Sequence, residues 1–435
     1  MESIVDKLNP FLAKLKQLNK HQQQQPTRQL QLSLALTNFQ DIYNHPLNTI
    51  QLRLSESLSC KLKDEYRLIM WLIYLNILPF NNPSSWKNII DEYRADYFIN
   101  KKQYITVQID SFIKTTQTKG SDEYEQLKTA IPSSQDAEVL ALIKLDIDRT
   151  YQEIELFQQQ HIKTILISVL YVYYKLHSER YNYVQGMNEL CGMMYMVFHP
   201  IHKLSMTFPK DNISFLFFLI HSNDCVIEAD VYTAFRSVMN KDMNVLYTYN
   251  NREYRNTPLS MKTPQDKAIV SLEEIINSNE SPLKKRVYTL YYHELMKVNN
   301  KIARNVVSKC EPDYFMLRWL LCMFTREFTV EKCLMIWDAI LCYEFIEFHY
   351  ESKRMKVISN EIVNNNHLTL ANCVCLSMII NEKKKLVNTK DADEILNILM
   401  HYNENANIED IVYKALTISE ELNANLLKEM KIKFK

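Results

Sequence analysis

Glycine is almost missing from this sequence. The 435 residues include three, Gly120, Gly186 and Gly192, where ordinary usage of ~7% would give about 30. Phosphate-cradling loops depend on glycine. A Walker loop needs two glycines five positions apart followed by Lys and Ser or Thr, and the dinucleotide fingerprint and the kinase glycine-rich loop need three within six residues. Gly186 and Gly192 lie six apart and Met193 follows. A nucleotide held on a loop of those kinds is therefore excluded.

Other scarcities narrow the reading further. Proline is sparse at 12, and with so little glycine this favours helices over a turn-rich β architecture. Charge of one sign is not in excess, with 51 basic against 51 acidic residues, which argues against a nucleic-acid binder. The longest apolar runs, 165–174 and 213–220, fall short of the ~20 residues that span a bilayer. The first residues lack the basic flank and apolar stretch of a signal peptide, and Glu2 leaves no glycine to myristoylate. None of the nine cysteines forms a C-x-x-C, and their odd number suits buried reduced thiols better than a disulfide framework or a metal site. His199 and His202 flank Pro200 as a loop pair with no acidic partner at ligand spacing, so no metal is expected. A cytoplasmic protein with no cofactor of its own is the expectation.

What the sequence does have is apolar residues at helical spacing. Leu62, Tyr66, Ile69, Met70 and Ile73 form one stripe, stopped at Leu78-Pro79. Ser84 or Ser85 is placed to cap a helix carrying Ile89, Ile90, Tyr93 and Tyr97. Ile162, Ile165, Leu166, Val169, Leu170 and Tyr173 make a strongly apolar helix, and Leu190, Met194 and Val197 mark another, expected to end at His199-Pro200. The stretch 250–285 loses this periodicity and reads as a surface insertion between two helical lobes. The predicted fold is all-α and two-lobed, without significant β-sheet. Residues 1–40 form a partly flexible helical and Gln-rich extension. Residues 41–400 are the main domain, with an N-lobe over 41–245 and a C-lobe over 286–400, and 401–435 is a helical extension.

Several constellations carry chemistry beside a plain alternative. Lys284–Arg286, Lys383–Lys385 and the terminal Lys431, Lys433 and Lys435 suit phosphates or anionic lipid, or simply a solvated face. Asp146 and Arg149, three apart, share a helical face. They make an ordinary ion pair, or a carboxylate that orients a guanidinium meant for a phosphate. In Tyr183-Val184-Gln185-Gly186-Met187, a scarce glycine stands beside a glutamine at a helix border. The amide both donates and accepts, and so is suited to orient a water; the alternative is a capped helix start. Arg318, Arg326, Glu327 and Asp338 are charges set in a very apolar helix pair, which reads as an ion-pair network pinning the two helices.

In this order the segments resemble the TBC-domain family of Rab GTPase-activating proteins. Ile143-x-x-Asp146-x-x-Arg149-Thr150 is similar to the family's IxxDxxRT motif, and Tyr183-x-Gln185-Gly186-Met187 to its YxQGM motif. Arg318-Trp319-Leu320, Arg326-Glu327-Phe328 and Trp337-Asp338 resemble its RWL, REF and WD helices, and Arg67-x-x-x-Trp71 its opening helix. The resemblance implies a protein that activates an enzyme rather than acting on a small molecule of its own. Its partner would be a GTP-bound Rab, with GTP and magnesium held by that partner. Arg149 would be an arginine finger and Gln185 a glutamine finger, and Asp146 would hold Arg149 in place. Thr150, Tyr183, Gly186 and Met187 would support them. Arg67, Trp71, Arg318, Trp319, Arg326, Glu327, Trp337 and Asp338 would be structural. Vesicle traffic would be the setting, with membrane contact only through the Rab and no nucleic acid involved. A catalytically silent GTPase-binding scaffold and a helical adaptor are the rival expectations.

Overall fold

The computed structural model describes residues 46–115, 122–131, 133–178, 182–205, 224–240, 271–278, 280–351 and 369–433. The expectations for residues 1–40, for Gly120 and for the first part of the 250–285 insertion lie outside these. The described residues are helical, with no strand among them. The helices that bear on the argument, numbered in chain order, are α1 (Pro46–Leu58), α2 (Asp64–Tyr74), α3 (Trp86–Tyr104), α4 (Val107–Lys114), α5 (Asp122–Ala130), α6 (Ser134–Asp148), α7 (Gln160–His177), α8 (Met187–Ser205) and α9 (Asp224–Val238). After the insertion come α10 (Met316–Leu321), α11 (Val330–Ile346), α12 (Leu370–Asn381), α13 (Ala392–Met400) and α14 (Ile408–Lys433).

The chain forms two compact units, one spanning Leu75–Asn250 and the other joining the residues up to Tyr74 with those from Asn251 onward. Sequence order alone had set 46–74 in the N-lobe; α1 and α2 instead pack with the C-terminal half. The chemical reason lies in buried Asp338 on α11, whose carboxylate needs partners. Arg67 on α2 supplies two, donating from Nε to Oδ1 at 3.0 Å and from Nη2 to Oδ2 at 3.0 Å, and Trp71 Nε1 donates to Oδ1 at 2.6 Å. The Trp71 and Trp337 rings stack beside them, 5.6 Å apart and 14° from parallel.

The expected charge network on the apolar helix pair is therefore two separate arrangements. Asp338 turns to α2. Arg318 on α10 grips Glu327 through Nε and Nη2 at 2.8 and 3.1 Å and also donates to the Met400 carbonyl at 2.7 Å, tying α10 to the end of α13. Arg326 is exposed and Trp319 fully buried.

In the unit formed by Leu75–Asn250, α7 is the central element. Its apolar residues surround the whole helix rather than one stripe, and 165–174 are all buried, the pattern of a helix enclosed by others. It packs against α6, α8 and α9. Helix α3 is locked to α9 by charge: Arg94 forks onto Asp230 at 2.8 and 2.7 Å, while Tyr97 and Lys101 both reach Glu228. Caps define local starts, with Ser133 accepting from the Asp136 N–H and Thr106 from the Ile109 N–H, each cap contributing ~1 kcal/mol.

Some local expectations need correction. Helix α8 does not stop at His199-Pro200 but continues through Pro200 to Ser205, which places His199 and His202 in a helix rather than a loop. Proline deletes one backbone bond and crowds one carbonyl; here the burial of Leu190, Met193, Met194, Val197 and Phe198 holds the helix against that loss. Ser85 precedes α3, but its hydroxyl donates to the Asn82 carbonyl instead of capping. Part of the expected insertion is helical too, over Leu272–Asn277 and Pro282–Tyr288, the first opened by a reciprocal cap between Ser271 and Glu274.

Candidate functional site

The two motif segments meet at the end of α6 and the start of α8. Helix α6 ends at Asp148, and Arg149 occupies the C-cap with φ −104° and ψ 2°. The chain then turns sharply, with Tyr151 in the left-handed region at φ 46°. Asp146 lies one turn back, fully buried, and serves as a branch point. Its Oδ1 accepts from Arg149 Nη2, and its Oδ2 accepts from the Tyr183 hydroxyl at 2.9 Å. Burial, with the Asp146 carboxylate beside it, pushes the Tyr183 hydroxyl well above its ordinary range. Tyr183 thus remains a donor to Asp146 across the physiological range.

A second connection runs below the first. Thr150 Oγ1 donates to the Asp146 carbonyl at 2.7 Å and accepts from Asn188 Nδ2 at 2.8 Å. Asn188 Oδ1 in turn accepts from the Gly186 N–H at 2.9 Å. Every member is buried, so each bond has desolvated groups at both ends and is costly to leave half made. The arginine turn and the glutamine turn are consequently one hydrogen-bonded unit.

Two of the three glycines are explained by this junction. Gly186 has φ 111°, a conformation that side chains resist, and α8 starts immediately after it. Gly192, one turn into α8, leaves room for Tyr151: a Cβ there would stand 2.8 Å from the Tyr151 ring and 3.2 Å from that of Phe157. The Tyr151 hydroxyl also donates to the Glu189 carbonyl at 3.2 Å.

The tips above this buried network are open. Arg149 has 43% of its side chain exposed against none for Asp146, and Gln185 is exposed. Apart from the bond to Asp146, no hydrogen bond joins the Arg149 guanidinium to another described side chain, and the Gln185 amide makes none to a described residue. Donors in a rigid fork and an amide that both donates and accepts are left available to a phosphate or a water. Met187 is buried at the start of α8.

The remaining named residues are elsewhere. Arg67, Trp71, Trp337 and Asp338 form the buried cluster between α2 and α11, and Arg318 with Glu327 ties α10 to α13; both groups belong to the other unit. Sequence reading missed Asn188, whose position just inside a helix start resembles ordinary capping, and Tyr151, whose role depends on a glycine 41 positions later. It also missed Lys144, buried on α6, whose ammonium donates to the carbonyls of Phe112 and Thr115 at 2.6 Å each. That bond satisfies the orphan end of α4 and fixes α6 to it. Cys60, Cys191, Cys310, Cys322, Cys333, Cys342, Cys373 and Cys375 are buried and in no disulfide, and among the described residues no cluster of His, Cys, Asp or Glu could hold a metal ion. No described helix is long and apolar enough to cross a membrane.

Comparison with known proteins bears on the same segments. The chain is 24% identical over 371 residues to human TBC1 domain family member 5, and 25% identical over 375 residues to the mouse protein. Each alignment covers 82% of this chain but 41% and 40% of those proteins, so the chain spans about two fifths of their length. Among solved structures, the Ypt/Rab-GAP domain of Gyp1p superposes with a TM-score of 0.58 at 17% identity, covering 90% of this chain and 98% of that domain, which supports the all-α fold. The Rab-GTPase-TBC domain profile matches residues 64–258 and 267–362. Taken with the helical fold, that match makes the chain a member of the Rab-GTPase-TBC domain family.

Proposed function

We propose that this protein accelerates GTP hydrolysis by a Rab-family GTPase in its GTP-bound state, inserting Arg149 and Gln185 into the partner's nucleotide site. A small GTPase working alone leaves the charge on the transferring phosphoryl oxygens poorly neutralised and the attacking water poorly held. The Arg149 guanidinium would supply the missing positive charge, a contribution on the order of 10³–10⁵ in rate, or roughly 4–7 kcal/mol of barrier. The Gln185 amide would accept from and donate to the attacking water. GTP and magnesium belong to the partner as substrate. Membrane traffic is the setting this partner implies, reached through the Rab.

One observation carries the reading. Arg149 and Gln185 stand exposed, with unused hydrogen-bonding capacity, above a buried chain of bonds running from Asp146 through Thr150 and Asn188 to Gly186. Positioning by rigid neighbours is what a charge-stabilising finger requires, because reorganisation at the moment of reaction would forfeit the gain. The test is single-turnover hydrolysis by a panel of GTP-loaded Rab proteins with and without the chain. Acceleration of at least one Rab is the expected result. Binding to GTP-loaded Rab with no acceleration would mark a silent scaffold, and neither binding nor acceleration would mark an adaptor with a different partner.

A further inference from the structure

One basic cluster legible in the sequence gains neighbours in the fold. Lys383, Lys384 and Lys385 form a short helical turn, Lys383–Leu386, and all three are exposed. Lys385 is neutralised by Glu382 at 2.7 Å. Lys383 and Lys384, with exposed Lys390 a few residues on, have no ion pair among the described residues.

A second segment, distant in sequence, is held against this turn. Asn305, on the short helix Asn300–Val306, donates through Nδ2 to the carbonyls of Leu386 at 2.5 Å and Thr389 at 2.9 Å. Lys301 is four residues before Asn305, one turn back along the same side of the helix, and Arg304 directly precedes Asn305. Lys301 and Arg304 are exposed and likewise lack an ion pair among the described residues. Lys309 adds its charge through a bond to Asn305 Oδ1. Asp391 and Asp393 bound the cluster on one side, with the Asp391 carboxylate occupied by capping the helix that follows.

We infer that Lys301, Arg304, Lys383, Lys384 and Lys390 form a docking surface for an anionic lipid bilayer. In a chain with no net charge, unpaired cations gathered from two segments by a tertiary clamp are a local field that the composition does not require. The cations are exposed and attached to flexible stems, with no buried donors converging on a point. That arrangement suits a diffuse plane of mobile phosphate headgroups better than one phosphate held in fixed geometry. Attraction to an anionic leaflet is additive per basic residue and fades within a Debye length.

The experiment is co-sedimentation of the whole chain with vesicles of phosphatidylcholine alone and of phosphatidylcholine with ~30% phosphatidylserine. The variants are Lys383→Glu with Lys384→Glu, Lys301→Glu with Arg304→Glu, and, as a control, Lys431→Glu with Lys433→Glu. At about fivefold per basic residue near the surface, each of the first two pairs should lower affinity for the phosphatidylserine vesicles by at least ~20-fold. The control should keep its binding, and raised salt should weaken the wild type. All substituted side chains of the first two pairs are exposed, so unchanged thermal melting accompanies the loss. Equal binding to both vesicle types, loss only in the control, or equally tight binding to a DNA duplex would each overturn the inference.

Discussion

Asn188 Nδ2 donates to Thr150 Oγ1 at 2.8 Å, joining the start of α8 to the turn that follows α6. The same amide accepts from the Gly186 N–H through Oδ1. A single buried side chain thus sets the glutamine turn against the arginine turn. Replacing it with alanine leaves the Gly186 donor and the Thr150 acceptor without these bonds, at about 1–3 kcal/mol for a buried group left unsatisfied. Asn188→Ala is expected to lower the unfolding free energy, read by urea denaturation, by that amount and to reduce stimulated hydrolysis while leaving Arg149 and Gln185 in the chain. Full activity in a folded Asn188→Ala protein would show that the bridge does not position the tips.

Gly192 tests the same junction from the other side. The Tyr151 ring occupies the space where a Cβ would stand at 2.8 Å, and overpacking of this kind costs about 1–3 kcal/mol. Gly192→Ala should lower the melting temperature, and Tyr151→Leu in the same chain should recover part of the loss. Additive destabilisation by the two substitutions would contradict the contact.

Arg67 is the stability prediction for the unit that contains α2 and α11. Burial pushes the Asp338 carboxyl above its ordinary range, with Arg67 and Trp71 opposing that rise. Removing Arg67 leaves a buried charge with less compensation, a change that typically costs about 3–5 kcal/mol. Arg67→Met is expected to lose that much by urea denaturation, and Arg67→Met combined with Asp338→Leu should be less damaging than Arg67→Met alone.

Glu228 gives a pH dependence with a definite sign. Burial raises its carboxyl above the ordinary 4.5, against the pull of Lys101 and Tyr97. The native state therefore holds this proton where the unfolded chain has released it. The stabilisation linked to that proton is complete below the ordinary value and is lost as pH rises through the native one. Compared with Glu228→Gln, wild-type stability should fall as pH rises from about 4 toward neutral, measured by urea titration at each pH. A difference that is flat, or that grows in favour of the wild type, would contradict the assignment.

Much of the fold is written locally. Scarce glycine and proline, with apolar residues at helical spacing, lead to the helical architecture and to α2, α3 and α7 with little ambiguity. What local reading missed depends on tertiary contacts. Arg67 and Asp338 are separated by 271 positions, and no periodicity links them. Pro200 signals a stop that neighbouring burial overrides, and Ser271 with Glu274 opens a helix inside a stretch whose polar composition suggested a loop. At the site, the sequence displays the two segments and their unusual glycines. It does not display the joint between them, because Asn188 is typical of helix starts and its partner Thr150 lies 38 residues earlier.

The central claim is that Arg149 and Gln185 act on a nucleotide held by another protein. Single-turnover GTP hydrolysis by the responsive Rab, with wild type, Arg149→Ala and Gln185→Ala each at saturating concentration, tests it most directly. Gln185 is exposed and bonds to no described residue, so Gln185→Ala should melt like the wild type; Arg149→Ala takes the ion-pair partner from buried Asp146 and should melt lower, so all three proteins are compared at a temperature where each remains folded. The expected result is a loss of about 10³-fold or more for Arg149→Ala, in the range of a removed arginine finger, and a large loss for Gln185→Ala. An Arg149→Ala protein that stimulates hydrolysis as fast as the wild type would contradict the account.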